Sequence, residues 1–186
     1  LALARLLVPE DFGTLAVLGI FLAISTQLAD IGFGSSLTRS ERVDDADLST
    51  IFYYNIGMSS LLYLILFIAA PWIAEYFRNP ILVSVLRVIS LSVVINSLYG
   101  IQAILVWRQM EFRKDMLIQL ASGVLSGLTG IVMAYFGFGY WSLVGMGLAN
   151  SIVRLIGYWC SSSWRPKLIF SMEKLKLHFG YGSRMV

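Results

Sequence analysis

One cysteine, Cys160, and one histidine, His178, are the only thiol and imidazole in the 186-residue chain. An intramolecular disulfide is therefore excluded. No metal-ligand spacing of His and Cys exists, and neither a Ser/His/Asp nor a Cys/His arrangement can be assembled. Charge is scarce as well, at 13% of residues, about half of what a soluble domain carries. No stretch rich in Pro, Gly and Ser separates domains, no repeat with a period of 20–50 residues is present, and no signal peptide with a cleavage site precedes the first apolar run.

Apolar residues fill the space that charge leaves. They make up 58% of the chain, and the mean hydropathy is +0.76. A water-soluble domain of this length would expose large apolar patches, whereas in lipid the same composition is ordinary. The net charge is +3 and the isoelectric point is near 9.1. The basic residues sit in short connections between apolar runs, where membrane topology explains them, so a nucleic-acid partner is rejected.

The segment 12–39 leads the reading. It is apolar from Leu15 to Leu28, then carries Asp30, Gly32 and Gly34, and closes on Arg39. At ~1.5 Å per residue it exceeds the ~30 Å hydrocarbon layer. The same criterion places spans at 1–8 (the end of a helix already under way), 12–38, 48–74, 81–107, 116–136 and 140–160. Residues 161–186 then form a basic, partly amphipathic segment leading to a seventh span. The predicted fold class is all-α, a single polytopic transmembrane bundle of about six spans, within a longer membrane protein. Arg39, Arg42, Arg108, Arg113, Lys114, Arg165, Lys167, Lys174, Lys176 and Arg184 fall on one side. Arg5 and Arg78 alone fall on the other. The positive-inside rule assigns the first side to the cytoplasm.

Polar groups inside the runs are the candidates for function, each with a plainer alternative. Asp30 stands about 27 Å along its helix, either in a polar cavity or held at the interface by Arg39 or Arg42. Arg87 and Arg154 either face a cavity and attract an anion or snorkel to headgroups. Asn150 shares a helical face with Arg154 at a spacing of four. Asn55, Asn96, Gln102 and Gln119 either line a polar path or make interhelical hydrogen bonds. Gly123 and Gly127 form a G-x-x-x-G with Gly130, Ser122 and Ser126 nearby, a pattern for close helix packing. The acids Asp44, Asp45 and Asp47 precede a helix, where its N-terminal dipole favours them; a metal-binding acidic motif is the lesser reading.

Several stretches taken in order resemble one family. ARLLVPEDFG, LADIGFGSSLTRSE, DLSTIFYYN, PWIAEYFRNP with LRVISL, and WRQMEFRK are similar to Wzx-type polysaccharide flippases of the multidrug/oligosaccharidyl-lipid/polysaccharide exporter superfamily. The resemblance implies the N-terminal lobe of a two-lobed fold working by alternating access, with the C-terminal lobe as its missing partner. It implies an inner-membrane protein that translocates undecaprenyl-pyrophosphate-linked oligosaccharide, with no enzyme activity and no cofactor. Arg87 and Arg154 are then candidates for the pyrophosphate, with Asp30, Asn55, Asn96 and Asn150 along the polar path. Gln119 stands where the family often has Glu, so an acidic role there does not carry over. A drug or peptidoglycan-precursor exporter of the same fold, a membrane-embedded glycan polymerase or acyltransferase, and a partner-binding membrane subunit are the rival readings.

Overall fold

The computed structural model describes residues 44–172. Spans 1–8 and 12–38, with Asp30, Arg39 and Arg42, lie outside the described residues, as do Lys174, Lys176, His178 and Arg184. The described part is helical without a strand: α1 (Asp45–Tyr76), α2 (Ile81–Ile89), α3 (Leu91–Arg108), α4 (Phe112–Tyr135) and α5 (Trp141–Ser161). Taken with α2 and α3 as one crossing, these give four helices long and apolar enough to cross a membrane. They correspond to the third to sixth predicted spans.

Two spans differ in detail from expectation. The fourth span, read as one helix over 81–107, is one crossing made of two helical segments that meet at Ser90, whose hydroxyl donates to the Arg87 carbonyl at 3.3 Å. Ser90 keeps helical dihedrals (φ −64°, ψ −16°) and its N–H still donates to the Leu86 carbonyl at 3.0 Å, so the two segments form one crossing. The fifth span begins at Phe112 rather than at residue 116, because the helix continues past the apolar window into polar surroundings and takes in Arg113, Lys114 and Asp115. At the start of α1, Asp47 accepts the backbone N–H of Asp44 at 3.0 Å, and Asp45 and Asp47 occupy the first turn. These acids thus sit where the free N–H groups and dipole of a helix start favour them.

Three tight turns make the helices antiparallel neighbours. In each, an N–H reaches back five residues: Asn79 to Ala74 at 2.9 Å, Glu111 to Val106 at 3.1 Å, and Phe138 to Met133 at 3.1 Å. Each turn passes through a left-handed residue, Arg78 (φ 51°), Met110 (φ 55°) and Gly137 (φ 79°). This is the Schellman pattern, and it takes glycine in only the last of the three.

Packing reverses the order of a soluble protein. Leu61, Leu64, Ile65, Ile68 and Trp72 on α1, and Leu117, Leu120, Val124 and Leu128 on α4, are exposed. The buried stripe of α4 is instead Asp115, Ile118, Ser122, Ser126, Gly130 and Ala134. Apolar side chains outward and small or polar ones inward is the arrangement for lipid. Aromatic side chains stand at both ends, Trp107 and Phe112 at the basic end and Tyr76, Tyr135 and Phe136 at the other. The chain is a multi-pass membrane protein.

The α4–α5 hairpin closes on small residues, though not the pair that the sequence suggests. A Cβ on Gly130 would lie 3.3 Å from Met146, and one on Gly157 would lie 2.9 Å from Ile118 Cγ2. Around Gly123 and Gly127 nothing lies within 4 Å among the described residues. The seam therefore runs through Ser122, Ser126 and Gly130, one residue out of register with the G-x-x-x-G. Gly157→Leu is expected to lower stability by about 1–3 kcal/mol through overpacking, with Gly123→Leu within about 0.5 kcal/mol of the parent. Thermal unfolding of the detergent-solubilised full-length protein distinguishes the two; equal losses would place the seam elsewhere.

After α5 the chain does not simply leave the bundle. The Lys167 N–H donates to Ser49 Oγ and the Ser171 N–H to Thr50 Oγ1, both at 3.1 Å, while Lys167 Nζ pairs with Asp45 at 2.6 Å. Trp159 and Trp164 pack edge-on to Phe52. This strap ties the end of α5 to the first turns of α1, at the basic end of the bundle.

Candidate functional site

Three helices bring polar side chains to one place in the basic half of the bundle. From α4 come Asp115, Gln119 and Ser122, at spacings that put them on one face. From α5 come Arg154 and Tyr158, and from α3 Asn96 and Tyr99. Tyr158 donates its hydroxyl to Asp115 Oδ1 at 2.5 Å, and the Gln119 amide donates to Asp115 Oδ2 at 2.6 Å. Arg154 Nε donates to Ser122 Oγ at 3.4 Å. Tyr99 donates to Asn96 Oδ1 at 3.1 Å and stacks on Tyr158 with centroids 5.3 Å apart.

Burial makes this cluster consequential. Asp115, Ser122, Tyr99 and Tyr158 are all buried. A carboxylate withdrawn from water is tolerable only when its oxygens are bonded, and both Asp115 oxygens are. Arg154 is half-buried. Its bond to the fully buried Ser122 turns it into the bundle rather than along α5 toward headgroups. Among the described residues no carboxylate stands within salt-bridge distance of it. The arrangement is a cation among hydroxyls and amides, with the Asp115 carboxylate in the same cluster. The guanidinium offers charge and donors to an anionic group, while the Tyr158 hydroxyl and the Asp115 carboxylate are bonded to each other.

The other candidates are dispersed. Asn150 lies half-buried one turn from Arg154 on α5. Asn55 is buried on α1, and its Oδ1, together with the hydroxyl of Ser59 one turn on, has no hydrogen-bond partner among the described residues. Gln102 is fully buried, and its amide nitrogen is placed to donate to the carbonyls of Leu98 and Tyr99 at 3.2 and 3.3 Å. Arg87 stands apart near the opposite end, with Nε 3.3 Å from the Phe67 carbonyl and its guanidinium carbon 4.2 Å from the Phe67 ring centre. Asp30 lies outside the described residues.

Asp115, Tyr99 and Tyr158 were not among the residues singled out from sequence. Asp115 reads as the end of a basic loop, and Tyr99 and Tyr158 fall within apolar runs. The available signal was spacing: Asn150, Arg154 and Tyr158 recur every four residues along one face of α5, opposite Asp115, Gln119 and Ser122 on α4.

The chain matches the family described as polysaccharide biosynthesis protein over residues 2–186. It is similar to the succinoglycan biosynthesis transport protein ExoT of Rhizobium meliloti (strain 1021), with 28% identity over 173 residues, covering 93% of this chain and 35% of that one. It is similar to the lipopolysaccharide biosynthesis protein WzxC of Escherichia coli (strain K12), with 28% identity over 186 residues, covering 97% and 37%. The teichuronic acid biosynthesis protein TuaB of Bacillus subtilis (strain 168) is 25% identical over 157 residues, covering 83% and 32%. The chain thus spans about a third of the length of these relatives. No solved structure matches.

Proposed function

The chain belongs to the polysaccharide biosynthesis protein family, and from that premise we propose that the full-length protein translocates lipid-linked oligosaccharide across the inner membrane. The described helices form part of an N-terminal lobe. A second lobe, in the part of the relatives that this chain does not span, is the surface against which it rocks in alternating access. A similar protein named as a transport protein for succinoglycan supports the reading.

The observation that carries it is Arg154. A guanidinium inside a bundle, bonded among the described residues only to neutral groups, has unspent capacity for planar, bidentate contact with phosphate oxygens. Asn96 and Asn150 flank it with amides suited to sugar hydroxyls, and Asn55 and Asp30 extend the polar path. A sugar headgroup would lose its hydration in hydrocarbon, so translocation needs such a path and no covalent step. The protein is accordingly read as a transporter rather than an enzyme, without a cofactor.

The test is accessibility of the lipid-linked intermediate in cells lacking the full-length protein. The glycan on its lipid carrier is expected to accumulate facing the cytoplasm, protected from an impermeant sugar-modifying reagent, and to become accessible when the protein is restored. Accumulation of a peptidoglycan precursor instead, or a change in drug efflux alone, would redirect the reading to another exporter of the same fold.

A further inference from the structure

A proline stands inside a helix toward the end of the bundle opposite the basic loops. Pro71 lies inside α1, which continues for five residues beyond it to Tyr76. Across the hairpin stands α2, which carries Arg87. Ala70 and Ala74 on α1 are buried against Leu82, Val85, Leu86 and Ile89, so the two elements are in close contact.

A proline within a helix has no N–H, so the carbonyl four residues earlier loses its ladder bond, and the ring pushes that carbonyl outward. For Pro71 this carbonyl belongs to Phe67. In hydrocarbon no water is available to bond it, and an orphaned carbonyl there is costly. The Phe67 oxygen is the atom to which Arg87 Nε donates, at 3.3 Å, across a sequence separation of 20 residues. The same guanidinium lies over the Phe67 ring at 4.2 Å, which fixes its plane. Among the described residues it has no carboxylate partner.

We propose that Arg87 is a positioning residue that supplies, from the neighbouring helix, the hydrogen bond that Pro71 removes from α1. Its charge is then used by a carbonyl dipole and an aromatic face, without any ligand. The segment of α1 beyond Pro71 is held to α2 by this contact, so the guanidinium sets the angle at which the end of α1 stands. This reading does not depend on what the full-length protein transports.

Restoring the missing donor provides the test. In the full-length protein, Arg87→Ala is expected to lower the melting temperature in detergent by several degrees. In a Pro71→Ala background, where residue 71 again has an N–H for the Phe67 carbonyl, the same Arg87→Ala change is expected to cost little. Spin labels on Tyr76→Cys and Tyr135→Cys, both exposed at this end, report the angle in a Cys160→Ser background. Their distance distribution should broaden in Arg87→Ala and narrow again in the double variant. An equal loss in both backgrounds, or no loss in either, overturns the proposal. Should Arg87→Ala alone yield no folded protein, recovery in the double variant supports it and continued failure overturns it.

Discussion

Arg154→Ala in the full-length protein should reduce glycan export by about 10- to 100-fold at matched membrane abundance. A hydrogen bond to a charged group is worth roughly 1.5–3 kcal/mol, and each 1.4 kcal/mol is about tenfold in rate or affinity. The larger figure applies where the site is dry, because a guanidinium bound to neutral groups gains most from an incoming dianion. Arg154→Lys should also export poorly. An ammonium keeps the charge but loses the planar fork, and it would relinquish the Ser122 contact that turns the side chain inward. Export assays in a strain lacking the native gene, with abundance measured in the same membranes, check both variants. Parent-level export by Arg154→Lys would return the residue to a headgroup-seeking role. Parent-level export by Arg154→Ala would take it out of the polar path altogether, leaving Asn55, Asn96, Asn150 and Asp30.

The second large effect lies beside it. Asp115→Leu is expected to destabilise the bundle by about 2–4 kcal/mol. The buried Tyr158 hydroxyl loses its acceptor, the Gln119 amide loses another, and the region around Arg154 loses its compensating negative charge. Asp115→Asn should cost much less, because one amide oxygen still accepts from Tyr158. Tyr158→Phe should fall between them, since it leaves a buried carboxylate oxygen short of a donor. Melting of the purified full-length variants in detergent orders the three. A Leu variant as stable as the parent would mean that the network contributes nothing to folding and that Asp115 is retained for another purpose.

How much of this was legible in the sequence depends on what each feature is made of. The third to sixth spans were, because bilayer thickness fixes the length of an apolar run. The start of α4 was not, since a hydropathy boundary marks where lipid ends, while the helical ladder runs on through Arg113 and Asp115. The polar cluster was half legible. Arg154, Asn96 and Gln119 stood out as polar groups among apolar ones. Tyr158 and Asp115, 43 residues apart, meet only because α4 and α5 fold back on each other, and nothing local announces that pairing. The glycine seam failed for a geometric reason. Spacing along a helix is readable from sequence, but which way a face points is not, and moving from Gly123 to Ser122 turns the contact by about 100°.

The strap at the basic end also bears on the order of assembly during synthesis. Ser49 and Thr50 are among the first described residues to emerge from the ribosome, yet the backbone groups they bond, at Lys167 and Ser171, follow 118 and 121 residues later. At roughly 5–20 residues per second, the first turns of α1 wait on the order of 6–24 s for those partners. During that interval α1 can already be inserted and paired with α2 and α3, while its basic end stays open to the translocation machinery and to chaperones. Closure comes only when α5 has crossed the membrane and the chain has turned back. A nascent chain released between residues 161 and 167 would hold every described span and still lack the bonds that fasten the last to the first.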